Sequence, residues 1–278
     1  MEQDISAELI VSPFPLIDGH THVDQYPEGD LAGLLNRAKE AGVGAIIAAG
    51  TNLESCNRIL KITKTHPIVK AGIGIHPTDV TWPLTSQIIE ELKQMASDPS
   101  VVVWSETGLD YLPASPDRGL QIEFFREQIK IAKEFKLPLV IHSREADQDV
   151  LEILHDERAD EVGGAWHYFG GDQFLANEVL KLGFYLSFAK TLIREPSIQE
   201  TLNHVPLNAV VIETDAYPQP FKKNRLRWTE PWQLPQVAQK IAEIKNVSLD
   251  IVARESTNNY AKMTKGRLRL EDLPYSIL

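Results

Sequence analysis

The sequence predicts a closed (β/α)8 barrel of the TIM type on three observations. Short apolar runs rich in β-branched residues recur eight times, amphipathic segments fall between most of them, and 278 residues is close to the usual ~250 of that architecture. The runs lack clean in/out alternation, as expected of strands buried on both faces of a parallel sheet. Leu16–Asp18 is the first, followed by a helical stripe over Leu31–Ala41 (Leu31, Leu34, Leu35, Ala38) that Gly42 closes. Ala45–Ala48 precedes a second helix over Glu54–Thr65, where Ile59, Leu60 and Ile62 mark the apolar side. Val69–Ile75 and Val101–Glu106 come next, then a helix over Gly119–Phe135 carrying Ile122, Phe125, Ile129 and Ala132. Pro138 leads into Leu139–His142, and a short stripe at Val150–Leu154 precedes Gly164–His167. Phe174–Leu182 is helical up to Gly183, Phe184–Ser187 is a strand, and Ser197–Leu202 is helical. Val210–Glu213 completes the strands, and Leu234–Lys245 and Leu249–Met263 are the closing helices. The same pattern also fits an open doubly wound sheet. With no composition break, Gly/Ser-rich linker or internal repeat, residues 1–278 are expected to form one domain.

Charge and composition exclude several classes. Lys+Arg total 28 against Asp+Glu 39, a net charge of −11, which is unlike a passive nucleic-acid binder with its basic face. It does not exclude a nuclease, because bound metal can supply positive charge locally. The single Cys56 can make neither an internal disulfide nor a thiolate cage. The longest uncharged small and apolar stretch, Ala41–Gly50, is too short for a bilayer, and Met1-Glu2-Gln3-Asp4 has no basic segment ahead of an apolar run. A reduced, cytoplasmic protein without membrane contact is expected.

The residues able to bind metal sit at strand ends. His20 and His22 follow the first strand, Glu106 ends the fourth, His142 the fifth and His167 the sixth, and Asp215 follows the eighth. In a barrel these are C-terminal ends, where catalytic groups converge. Of the 8 His, His66, His155 and His204 fall in helical or helix-flanking segments. Each member alone admits a plain structural reading. An isolated His-x-His is often surface, and Glu106 could form a buried ion pair. His142 and His167 could be satisfied core histidines, and Asp215 a helix N-cap. Together they point to one shared metal site, since side chains two apart on a strand lie on one side and a strand-end carboxylate is costly to bury unpaired.

Six ordered motifs resemble the TatD-like metal-dependent hydrolases of the amidohydrolase superfamily. They are Ile17-Asp18-Gly19-His20-Thr21-His22, Gly72-Ile73-Gly74-Ile75-His76-Pro77, and Ser105-Glu106-Thr107-Gly108-Leu109-Asp110-Tyr111. Leu137 through Arg144, His167-Tyr168-Phe169-Gly170-Gly171 and Glu213-Thr214-Asp215-Ala216 complete the set, and Asn258-Asn259-Tyr260-Ala261 is similar to the family's closing helix. The resemblance spans about residues 16 to 263. It implies a metal-dependent hydrolase, usually a deoxyribonuclease or phosphodiesterase, with two divalent ions. His20, His22, Glu106 and Asp215 would hold one and Glu106, His142 and His167 the other. Asp215 would take the proton of the attacking water, and His76 would support the ligands or meet a substrate phosphate. Three positions depart from the family pattern, the first being Asp215-Ala216-Tyr217-Pro218, one residue longer than the family's Asp-Ala-Pro run. Tyr168-Phe169-Gly170-Gly171 replaces a Phe-Ser-Gly, and Arg227-Trp228-Thr229-Glu230-Pro231 stands where an Arg-Asn-Glu-Pro-like segment is common.

An imidazole and carboxylate set without thiolate suits Zn, Mn, Co or Ni, and the family resemblance adds Mg. Arg144 could bind a phosphate or pair with Glu145 or Asp147. Lys222, Lys223, Arg225 and Arg227, flanked by Phe221 and Trp228, could track a single strand or be a solvated charge run. The expected partner is therefore a phosphodiester, as single-stranded or frayed nucleic acid, with no obligate protein partner. An ester, lactone or amide hydrolase is the alternative enzyme, and a barrel without catalysis would lack a ligand.

Overall fold

The computed structural model describes residues 10–222 and 228–273. Eight parallel strands form one sheet in sequence order: β1 (Leu16–Thr21), β2 (Val43–Ala49), β3 (Val69–Ile73), β4 (Val101–Asp110), β5 (Leu139–Arg144), β6 (Gly164–Trp166), β7 (Tyr185–Phe188) and β8 (Val210–Ile212). The sheet curls until its edges meet. Thr21 bridges Ala216 in parallel, His22 N–H donates to the Ala216 carbonyl at 2.7 Å, and Asp215 N–H donates to the His20 carbonyl at 3.0 Å. The arrangement is a nearly closed TIM barrel, not an open doubly wound sheet.

Helices alternate with the strands: α1 (Glu28–Glu40), α2 (Leu53–Thr65), α3 (Ser86–Ala96), α4 (Arg118–Phe135), α5 (Asp147–Asp156), α6 (Gln173–Lys181), α7 (Pro196–His204), α8 (Leu234–Lys245) and α9 (Leu249–Met263). α2, α3, α4, α6 and α9 start on side-chain caps, with Asn52, Thr85, Asp117, Asp172 and Ser248 each accepting from a backbone N–H three residues on. α3 is absent from the sequence expectation. Its buried stripe is only Ile88, Leu92, Met95 and Ala96, set among Gln, Glu and Lys, so its periodicity is brief.

Alternate strand positions divide between two buried layers. Leu16, Ile46, Ala48, Ala71 and Ile73 pack in the layer that includes the helix residues Leu34, Leu35 and Ile59, whereas Ile17, Ala45, Ile47, Val103, Val140, Ala165 and Val211 fill the barrel interior. Tyr260 and Met263 of α9 join the interior cluster, and the Tyr260 hydroxyl donates to the Gly19 carbonyl at 3.0 Å. Among the described residues no helix is long and apolar enough to cross a membrane.

Two strand ends differ from the sequence expectation in a way that shapes the site. β4 does not stop at Glu106 but runs to Asp110, and β5 continues past His142 to Arg144. Gly108 allows this extension, because it adopts φ 147° and a Cβ there would stand 1.9 Å from the His142 carbonyl oxygen. The β4–β5 register shifts between Trp104 and Thr107, where Glu106 lies.

Candidate metal centre

Glu106 is the hub. Its carboxylate is buried inside the barrel mouth, and five imidazoles from four strands or their following loops surround it. His142 Nδ1 lies 2.9 Å from Oε1, His167 Nε2 3.4 Å and His76 Nε2 3.6 Å from the same oxygen. His20 Nε2 lies 3.2 Å and His22 Nε2 3.6 Å from Oε2. Asp215 joins at the barrel seam, with Oδ1 3.5 Å from His22 Nε2.

Each ring is oriented from behind. His22 Nδ1 sits 3.2 Å from the Ala49 carbonyl, which turns Nε2 toward Glu106. His76 begins the turn after β3, where Nδ1 meets the Thr78 hydroxyl at 2.6 Å. Gln128 of α4 braces that segment by accepting from Ile75 N–H at 2.7 Å and donating to the Ile75 carbonyl at 3.0 Å. His142 Nε2 lies 3.2 Å from Asp110 Oδ2, and His167 Nδ1 lies 2.7 Å from Glu213 Oε1. Glu213 is itself held by the Tyr168 N–H at 2.7 Å and the Ser187 hydroxyl at 2.5 Å.

The electrostatics follow from packing acids and imidazoles this closely. Burial alone would raise the Glu106 carboxyl, but His76, His20 and His167 and the hydrogen bond from His142 outweigh it and hold it well below the usual carboxylate range. Burial lowers His142, but the bonds to Asp110 and Glu106 overcome this and lift it to about 9. Burial brings His76 down to about 3 despite the Glu106 charge. His76 Nε2 lies 3.2 Å from His142 Nδ1. Burial raises Asp215 to about 6 against the pull of His167 and His22, and raises Glu213 to about 7.

The residues fit divalent cations. His20 Nε2 is buried and makes no hydrogen bond, though it lies beside Glu106. Ligands held about 2.1 Å from a tetrahedral ion stand about 3.4 Å from one another, and the donor atoms here are spaced 3.2 to 3.6 Å apart across His20, His22 and Asp215 with Glu106. Among the described residues three sets bring their donors within 4.8 Å of one another: His20, His22 and Glu106; His76, Glu106 and His142; and His20, His167 and Glu213. The second set brings His76 beside Glu106 and His142, whereas His167 also turns to Glu213.

The remaining expected residues lie farther out. Arg144 lines the cavity above the cluster and, among the described residues, pairs with neither Glu145 nor Asp147; Asp147 accepts from Ser143 instead. Lys222 also lines the cavity, with Nζ 2.6 Å from Gln219 Oε1. Lys223, Arg225 and Arg227 lie outside the described residues. Asp110 and Glu213 were not among the expected site residues. Two-residue alternation carries the signal for both, since Asp110 is four positions beyond Glu106 and Glu213 two before Asp215.

The model of the family described as TatD related DNase matches residues 17–265. The chain belongs to the TatD-related DNase family. It is similar to the uncharacterized metal-dependent hydrolase YabD of Bacillus subtilis, at 34% identity over 89% of this chain and 98% of that protein. It is 28% identical to the human protein named deoxyribonuclease TATDN3, over 89% of this chain and 94% of that one. The crystal structure of the TatD homologue YjjV from Escherichia coli superposes with a TM-score of 0.81 at 28% identity, covering 89% of this chain and 97% of that chain. As a TatD-family member this chain is a metal-dependent hydrolase, and its barrel is the family's.

Proposed function

We propose that this TatD-family chain is a deoxyribonuclease or phosphodiesterase that uses two divalent ions on single-stranded or frayed nucleic acid. The observation that carries the reading is the buried Glu106 carboxylate, ringed by five imidazoles on the floor of a cavity of about 2490 Å³. A cavity of that size admits a polymer, and Arg144 and Lys222 on its wall supply cations that a phosphodiester needs. The human relative's name supports the same substrate class.

In this reading His20, His22, Glu106 and Asp215 would hold one ion, and Glu106 and His142 would hold the other with His167 or His76. Such ions would polarise a phosphoryl oxygen and make water acidic enough to attack near neutral pH. Asp215 would hold its ion through one carboxylate oxygen and accept the proton of the attacking water on the other. Asp110 and Glu213 fix the His142 and His167 rings. Arg144 has no carboxylate partner among the described residues, so its guanidinium is available to a substrate oxygen.

A substrate panel tests this. Single-stranded DNA and RNA oligonucleotides, a chromogenic phosphodiester, a lactone and an aryl ester are offered to the protein with and without chelator. The reading expects oligonucleotide cleavage that chelator abolishes. Turnover confined to the lactone or the ester would overturn it.

A further inference from the structure

The Glu106 cluster occupies the floor of the cavity, and a second group of charged side chains stands on the wall beyond β7 and β8. Lys190 opens the 3-10 turn Lys190–Ile193, Arg194 caps it, and Lys222 comes from the segment after β8. All three line the cavity together with Tyr168, Tyr217 and Asp215. Such a gathering of cations runs against the chain's net charge of −11.

The wall is built to hold its shape. Leu192 N–H donates to the Ala189 carbonyl and Arg194 N–H to the Thr191 carbonyl, both at 3.0 Å. From α7, Gln199 Nε2 donates to the Leu192 carbonyl at 2.9 Å and the Ile193 carbonyl at 3.3 Å. Lys190 is half-buried, and its ammonium reaches a neutral acceptor, Gln233 Oε1, at 3.4 Å. Among the described residues neither the half-buried Lys190 nor the exposed Arg194 forms an ion pair with a carboxylate. Burial, then the charges of Lys222 and Arg194, lower the Lys190 pKa, so the three cations feel one another. Tyr168 and Asp215 line the same cavity, so this wall and the metal centre share one opening.

Lys190 and Arg194 put like charges on one wall of the cavity with no carboxylate partner of their own among the described residues, and a bound anion relieves that repulsion. We propose that Lys190 and Arg194, with Lys222 at the edge, form a second phosphate subsite that takes the phosphate next to the scissile one. The substrate is then a strand bearing at least two phosphates, and an isolated diester is a poor one. Phe221, 71% exposed, and Trp232 line the same cavity and offer faces on which a base between the two phosphates can stack. The proposal rests on the phosphodiesterase reading and names its substrate more narrowly.

The test compares wild type, Lys190→Gln/Arg194→Gln, and Lys61→Gln/Lys64→Gln, which removes the same charge from exposed positions of α2. KM is measured for the dinucleotide TpT, with one phosphate, and the trinucleotide TpTpT, with two. Binding of fluorescein-labelled TpTpT is measured by anisotropy in chelator, where no cleavage occurs. Wild type and the Lys61/Lys64 variant should favour the trinucleotide by about tenfold in KM, equivalent to about 1.4 kcal/mol. Lys190→Gln/Arg194→Gln should abolish that preference and weaken trinucleotide binding in chelator by a similar factor. A KM ratio unchanged in that variant, or trinucleotide binding unaffected by it, overturns the subsite even if the nuclease reading stands. Trinucleotide binding that depends on Lys190 and Arg194, in a protein that cleaves no phosphodiester, keeps the subsite and sinks the nuclease reading instead.

Discussion

Asp18 accepts two hydrogen bonds from Thr214, one from its N–H at 2.8 Å and one from its hydroxyl at 2.6 Å, and so ties β1 to the segment after β8. This buried pair closes the barrel beside the metal centre, between His20 and Asp215. Removing the carboxylate leaves a buried N–H and a hydroxyl without partners, a loss of about 1–3 kcal/mol each at most. Asp18→Ala should therefore lower the unfolding free energy by about 2–4 kcal/mol and weaken metal binding, whereas Asp18→Asn, which keeps one acceptor, should cost less. Chemical denaturation of the three proteins, with and without added zinc, checks the order.

Gln128 serves three partners from one amide. Besides both polar groups of Ile75, it accepts from Trp104 Nε1 at 3.1 Å. Gln128→Leu matches the volume but strands the Ile75 N–H and the indole N–H, so about 2–4 kcal/mol of stability should go. Because Ile75 precedes His76, the variant should also lose metal affinity, which isothermal titration with manganese would read. Unchanged affinity alongside lost stability would separate the brace from the site.

Asp215 differs from the imidazoles in having a burial-raised carboxyl at the edge of the cluster. Asp215→Asn preserves an oxygen ligand and removes the proton acceptor. Its kcat should fall by about 10²–10⁴ while bound metal stays near the wild-type level. Full activity in this variant would remove Asp215 from the chemistry.

Gly108 permits β4 to pass His142 closely. Gly108→Ala must push β5 away or give up a positive φ, so the melting temperature should drop and metal content with it, at a cost of about 3 kcal/mol or more. Thermal melts and elemental analysis on the same samples check both.

Much of this molecule was legible in the sequence. The eight strands stand where β-branched runs mark them, because residues buried on both faces of a parallel sheet must be apolar throughout. The six residues His20, His22, Glu106, His142, His167 and Asp215 converge because they sit at or near the C-terminal ends of five strands, His20 and His22 sharing β1. What was not legible is polar. Asp110 falls past the apolar part of β4 and so was not counted as strand, although period-two alternation puts it on the Glu106 side. Glu213 ends the apolar run of β8 on the Asp215 side, but its partner His167 comes from another strand and no local pattern names it. Lys190 and Arg194 have no motif at all; only the turn after β7 brings them to the cavity wall.

The central claim is that Glu106 organises divalent ions in this barrel mouth. Elemental analysis of wild type and Glu106→Ala, purified without added metal and then equilibrated with equal zinc or manganese, tests it most directly. The account predicts about two ions per wild-type chain and a loss of most of that metal in Glu106→Ala. Equal metal content in a folded Glu106→Ala protein would contradict it.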